Sequence, residues 1–349
     1  MTARRALVVD HPGTVAVVTR EPVSLEPHEV VCRPLLVGVC GTDLELVRGD
    51  VEPAYVRYPL TLGHEWVGIV SRVGNAVTGV EIGDRVVGEG IIPCGRCDRC
   101  RDGATNLCET YSELGFNREG AASDEVALPA RLIHRIGDDV PDEAGVLVEP
   151  AAVVLRGLER ARPRPGASVL IVGAGSIGLL AAHLVRLWSP STVAVFGRSP
   201  LQSALALALG ADRFGCEADG SADPRRSFDR SSGFDLVIEA AGRPEAVETA
   251  IHAARRGATV VLLGLSGAGR TARMSPDELV NSDLTIHASF SYTSASWTRT
   301  VALVNAGAVR PAPLVTHRFP LERFQDAFAA LGSRRDPTGK VVLDLARAS

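Results

Sequence analysis

Lysine is nearly absent. The chain of 349 residues has one, Lys340, and arginine supplies the rest of its basic side chains. Schiff-base and lysine-base mechanisms are excluded unless Lys340 carries them. Genomic composition accounts for such a bias without a functional cause. Long apolar runs are missing too. The best candidate for a membrane span, Ile177 to Trp188, is broken by His183 and Arg186. Before Asp10 there is only a short apolar run, which excludes a signal peptide there. Positive charge is not in excess. The formal net charge is −4 and the pI is near 6.1, which argues against binding nucleic acid by phosphate neutralisation. These absences predict a soluble cytoplasmic protein with reduced thiols and no nucleic-acid or membrane partner.

The apolar content of 46% is enough for a real core, and the length suggests two domains. The first 150 residues read as β-rich. Val30–Leu36, Gly68–Val73 and Arg85–Gly88 are short runs between Gly, Pro and Asp turns, and no segment there has a long helical period. Near Val153 the character changes. Ala167–Val172 is a continuous apolar run, as a strand buried on both faces should be. Strand then helix repeats: Thr192–Phe196 before Pro200–Leu209, Phe234–Ala240 before Pro244–Ala254, then Thr259–Leu263 and Leu284–Phe290. That alternation predicts an α/β fold with a doubly wound parallel sheet. Ser221–Ser232 reads as a polar loop, Trp297–Val304 as a helix and Lys340–Leu345 as a last strand.

Of seven cysteines, four fall close together: Cys94, Cys97, Cys100 and Cys108. The spacing C-x2-C-x2-C-x7-C supplies the four thiolates of a closed tetrahedral zinc site. The segment around them is poor in apolar residues and reads as a lobe tied by metal. Two disulfides are the other reading, disfavoured by the close spacing and by a cytosolic location. A closed site has no open position, so the chemistry lies elsewhere.

Gly173-Ala174-Gly175-Ser176-Ile177-Gly178 is G-x-G-x-x-G between a predicted strand and a predicted helix, the context of a dinucleotide loop. Gly173 permits the turn, Gly175 the approach of a pyrophosphate, and Gly178 close helix–strand packing. The end of the next strand selects the cofactor. NAD sites place an acid there for the ribose hydroxyl. This chain has Gly197-Arg198-Ser199 and no acid. Space, a guanidinium and a hydroxyl suit a 2′-phosphate and favour NADP over NAD. The alternative is that Arg198 is a solvated surface residue.

Cys40-Gly41-Thr42-Asp43 and Gly63-His64-Glu65 carry further reactive groups. A thiolate, an imidazole and a carboxylate would make a mixed zinc site with a free position. Spacing does not bring them together. Taken singly, Cys40 reads equally as a small buried apolar residue and His64 as a core histidine.

The order of these motifs resembles the zinc-dependent medium-chain dehydrogenases, the alcohol and polyol dehydrogenase superfamily. The shared features are Cys40, Thr42, Gly63-His64-Glu65 with Gly68, Gly74 and Val77, the four-cysteine lobe and the late glycine motif. The resemblance covers nearly the whole chain. It implies a GroES-like catalytic domain at 1–152 and 293–349, with the zinc lobe at 94–108, and a Rossmann domain at 153–292. It implies a second, catalytic zinc on Cys40 and His64. Val148-Glu149-Pro150 stands where the alcohol branch has a third cysteine, as in the polyol branch, so Glu65 and Glu149 should share the remaining coordination. Thr42 would relay the hydroxyl proton. Glu45 stands where relatives continue that relay with a histidine; either it takes the role or it is a solvated glutamate. Ala241, Gly264, Leu265, Ser289 and Ser291 complete the expected cofactor site. Relatives pair their Rossmann sheets edge to edge, which suggests a homodimer or homotetramer.

Glu113-Leu114-Gly115-Phe116 resembles a branch acting on sugars and cyclitols, including enzymes of aminocyclitol assembly. Phe116 matches a pocket-wall aromatic of sorbitol dehydrogenases. Their Arg-Tyr pair reads Ser291-Tyr292 here. Loss of that arginine puts open-chain polyols in doubt. The expectation is a zinc- and NADP-dependent dehydrogenase of a sugar, cyclitol or aminocyclitol secondary alcohol. The alternatives are a dehydrogenase of a threonine-like amino alcohol or simple alcohol, and a non-catalytic NADP-binding protein.

Overall fold

The computed structural model describes residues 3–220, 222–333 and 335–346. The chain forms two compact units. One comprises Met1–Glu149, Tyr292–Ser333 and Lys340–Ser349; the other comprises Pro150–Ser291 and Arg334–Gly339. The first division falls inside a helix, Val148–Ala161. A continuous helix carries no turn signal, so the sequence does not mark that point.

The first unit is built on a seven-stranded sheet. Its central strand, Glu29–Val39, is antiparallel to Trp66–Val73 on one side and to Lys340–Asp344 on the other. Val30, Val31, Cys32, Leu36, Val37 and Val39 of that strand are all buried. They pack with Leu46, Trp66, Leu128 and Val341 in one core, which removes their apolar area from water. Arg85–Gly88, Ile133–Arg135, Val126–Pro129 and Val315–Pro320 complete the sheet. A three-stranded sheet of Thr14–Arg20, Arg4–His11 and Leu60–Thr61 lies beside it in sequence and shares residues with the same core.

The second unit holds a six-stranded, wholly parallel sheet. Its order is Arg213–Cys216, Thr192–Gly197, Ser168–Val172, Phe234–Glu239, Ala254–Leu262, Thr285–Ala288. Every residue of Ser168–Val172 is buried, which is why that strand reads as an unbroken apolar run. The edge strand Arg213–Cys216 is not legible in the sequence, being four residues long with an internal glycine. The stretch read as the polar loop Ser221–Ser232 contains a short helix, Pro224–Ser227, capped by the Asp223 carboxylate, which accepts from Arg225 N. Ser221 lies outside the described residues. Among the described residues no helix is long and apolar enough to cross a membrane.

Candidate functional site

The register of three strands assembles the site in the first unit. Val39 pairs with Val341, and Val37 with Trp66. Cys40 therefore leaves the central strand at the same end where Glu65 enters one neighbour and Lys340 enters the other. Cys40 then caps the helix Gly41–Arg48, and the Asp43 carboxylate accepts from Cys40 N at 2.8 Å. That helix has only two turns, so no long period announces it. It carries Thr42, whose Oγ1 lies 3.7 Å from Cys40 Sγ. It also carries Glu45, which is half-buried and whose pKa burial raises, with Arg48 opposing.

One ligand atom each of Cys40, His64 and Glu65 lies within 4.8 Å of the others. A soft thiolate, an imidazole and a carboxylate are a zinc donor set. His64 Nδ1 faces Asp43 Oδ1 at 3.8 Å, beyond hydrogen-bond reach, and both atoms are buried without a hydrogen-bond partner. Burial opposes charge on His64, but its hydrogen bond to Cys40 and the charges of Asp43, Cys40 and Glu149 outweigh this and raise it well above its usual value. Glu149 stands outside the 4.8 Å group. Burial first, and the Glu65 charge second, push its pKa up to about 8. Acids thus crowd the cluster, and a cation there would relieve the burial and repulsion that raise Glu149.

Lys340 supplies one positive charge. Its Nζ is paired with both oxygens of Glu65, and both side chains are almost wholly buried. Burial disfavours the ammonium, yet the charges of Glu65, Cys40 and Glu149 raise its pKa overall. The single lysine is a charged partner and not a nucleophile. Gly38 lies under the pair: a Cβ there would collide with Glu65 Oε2 and stand 2.9 Å from Lys340 Cε. Gly38→Ala should destabilise the unit by about 1–3 kcal/mol through overpacking. Denaturant unfolding checks this, and a wild-type midpoint would contradict it.

Phe116 is 5.6 Å from the His64 ring, centroid to centroid. Tyr292 is buried against Trp297, and its hydroxyl oxygen accepts from Gly90 N at 2.8 Å and Ile91 N at 3.3 Å. Only its proton remains to be given. The sequence reading assigned no role to Asp43, Glu113 or Lys340. The signals were an acid three residues after a cysteine, an acid beside Phe116, and the singularity of the lysine.

Cys94, Cys97, Cys100 and Cys108 form a second group whose sulfurs lie within 4.8 Å of one another. The Cys94–Cys100 and Cys97–Cys108 separations are 4.0 Å. That excludes S–S bonds of about 2 Å and is near the edge of about 3.8 Å set by four Zn–S bonds of 2.3 Å. The N–H groups of Arg96 and Cys97 point at Cys94 Sγ and lower its pKa to about 6.

In the second unit, Gly175 caps the helix Ser176–Leu184, and a Cβ there would meet nothing within 4 Å. The N–H end of the helix is open beside it, where a phosphate binds. Gly173 has φ +115°, and Gly178 lies so close to Gly173 O that no side chain fits. Ile177 follows within the same first turn. Ser176 Oγ donates to Gly339 O at 3.0 Å. Gly197 ends its strand buried, Arg198 is exposed, and Ser199 caps the next short helix. Ala241 N donates to the buried Glu239 carboxylate. Gly264 packs on Gly242, and Leu265 is exposed. Ser289 is buried, and Ser291 has φ +51°.

The profile of the alcohol dehydrogenase GroES-like domain matches residues 26–138, and that of the glucose dehydrogenase C-terminus matches residues 142–345. An L-threonine 3-dehydrogenase of Sinorhizobium fredii is 31% identical over 97% of this chain and 98% of its own. A zinc-binding dehydrogenase of Sinorhizobium meliloti, solved with NADP, superposes with a TM-score of 0.91 at 28% identity, covering 99% of this chain and 100% of its own. Galactitol-1-phosphate dehydrogenase of Escherichia coli does so with a TM-score of 0.87 at 27% identity, covering 97% and 99%. With both profiles in sequence and near-complete coverage on both sides, the chain belongs to the zinc-dependent medium-chain dehydrogenase/reductases and is an enzyme of their alcohol and polyol dehydrogenase class.

Proposed function

We propose that the protein transfers hydride between NADP(H) and a secondary alcohol or ketone of a sugar, cyclitol or aminocyclitol. The observation that carries this reading is the gathering of Cys40, His64 and Glu65 donor atoms within 4.8 Å. Zinc, when bound, supplies Lewis acidity toward a substrate oxygen, and the nicotinamide supplies or accepts the hydride. Cys40, His64 and Glu65 hold the inner ion, with Glu149 directly or through water. Asp43 acts on the His64 ring through its charge. Lys340 holds Glu65. Thr42 passes the hydroxyl proton outward, and Glu45 extends that path. Phe116 walls the pocket and excludes water beside His64. The four-cysteine lobe holds a second, structural zinc. The non-catalytic alternative leaves the inner donor set without a purpose.

Arg198 with Ser199 supports NADP, as does the NADP-bound relative. Arg198→Ala should lower kcat/KM for NADP by about 10- to 100-fold, the value of a charge-assisted phosphate contact, and change NAD much less. An unaltered NADP to NAD ratio would exclude this role for the arginine. The L-threonine 3-dehydrogenase relatives favour a second reading, a vicinal amino alcohol. A panel of cyclic polyols, amino sugars, L-threonine and simple alcohols, followed at 340 nm with each cofactor, separates the two. Failure of the zinc-loaded protein to oxidise any member with either cofactor, or to reduce the matching ketones, would refute the enzymatic reading.

A further inference from the structure

We propose that Glu113 is a specificity-determining residue that receives a protonated amine of the substrate. The inference rests on the dehydrogenase reading and refines its substrate class. Glu113 lies in the short strand Ser112–Glu113, opposite Ile91. A tight turn fixes it. Its N–H donates to Asn117 Oδ1 at 2.8 Å, and its carbonyl accepts from the N–H groups of Phe116, Asn117 and Arg118. Leu114 N donates to Gly90 O, and Gly115, at φ +76°, sits against the Gly63 backbone with no room for a side chain. The turn is thereby clamped between the loop that carries His64 and the segment that holds the Tyr292 hydroxyl.

The carboxylate itself is unsupported. Among the described residues no hydrogen bond or ion pair reaches the Glu113 side chain. Among the described residues Glu149, on which its charge acts, shares this lack of a partner, whereas Asp43 accepts from Cys40 N, Glu65 is paired with Lys340, and Glu89 is held by His134 and Ser294. Glu113 is half-buried, and its carboxylate oxygens are not sealed from solvent. Burial pushes its pKa up to about 7, opposed only by His64. Its charge acts on His64, Glu149 and Tyr292, which come from three separate elements around the candidate metal centre. The residue also keeps some accessible surface, so a ligand can reach it. A half-buried carboxylate with no protein donor gains a charge-assisted contact when a ligand cation takes the place of water beside it. An ammonium brings three N–H donors and the missing charge. A hydroxyl brings one donor and no charge.

The test is equilibrium binding, measured by calorimetry on the zinc- and NADPH-loaded protein, which cannot oxidise an alcohol, at about pH 8, where an alkyl amine is protonated. The probes are trans-2-aminocyclohexanol, its N-acetyl derivative and trans-cyclohexane-1,2-diol. The amine should bind about 10- to 100-fold more tightly than either neutral probe, as a charge-assisted contact does. Glu113→Gln should remove that preference. Equal binding of the three probes to the wild type overturns the proposal, and this arm needs no variant. A preference that survives Glu113→Gln also overturns it. Amine preference in a protein that oxidises no secondary alcohol would leave the Glu113 assignment standing and remove the dehydrogenase reading. Turnover of alcohols with no amine preference would do the reverse.

Discussion

Replacing Lys340 by Met is expected to destabilise the metal-free protein by about 3–5 kcal/mol, because Glu65 would keep a buried charge with no counter-charge beside it. Hydrophobic volume alone does not compensate, since the loss is electrostatic. Zinc should reduce the penalty, as a divalent ion beside Glu65 takes over part of the lysine's work. Lys340→Arg keeps the charge and should fall between the two. Guanidinium chloride unfolding with and without a chelator measures all of this. If wild type and Lys340→Met share one midpoint after chelation, the pair does not hold the sheet end together. If zinc fails to narrow the gap, Glu65 is not beside the ion.

Cys40→Ala should have the largest effect on turnover. It removes the only thiolate of the inner donor set while leaving the lobe cysteines intact. Metal content should fall from two ions per chain to one. Activity should drop by more than about 100-fold, the loss that perturbing an outer partner of a metal site alone can cause. Cys108→Ala should instead remove the other ion, since Cys108 belongs to the lobe. Elemental analysis beside a steady-state assay reads both outcomes. Undiminished turnover in Cys40→Ala, with the metal count unchanged, would disprove the inner site.

How much of this is legible in the sequence follows from burial and register. Ser168–Val172 and Phe234–Glu239 are covered on both faces, so their residue types give them away. The helix Gly41–Arg48 is too short and too mixed in exposure to show a period. The four lobe cysteines are close in sequence, and spacing alone brings them together. The inner set is different. Cys40, His64 and Glu65 meet because Glu29–Val39 pairs with Trp66–Val73 in one register, and register is not written in any single strand. Lys340 is further still: it arrives from the far end of the chain by pairing with the other side of that central strand. Glu113 is inconspicuous in the sequence three residues before Phe116, since a carboxylate's lack of a partner is visible only in three dimensions.

The lone lysine has one more consequence. Its Nζ is sealed in the interior of the first unit, so the folded protein offers acylating and aldehyde reagents no side-chain amine. Amine-directed dyes, cross-linkers and resin couplings that decorate most enzymes at random would leave these side chains untouched. A lysine introduced at a chosen surface position would then be the sole side-chain anchor, giving a singly oriented immobilised enzyme without chemical protection of the site.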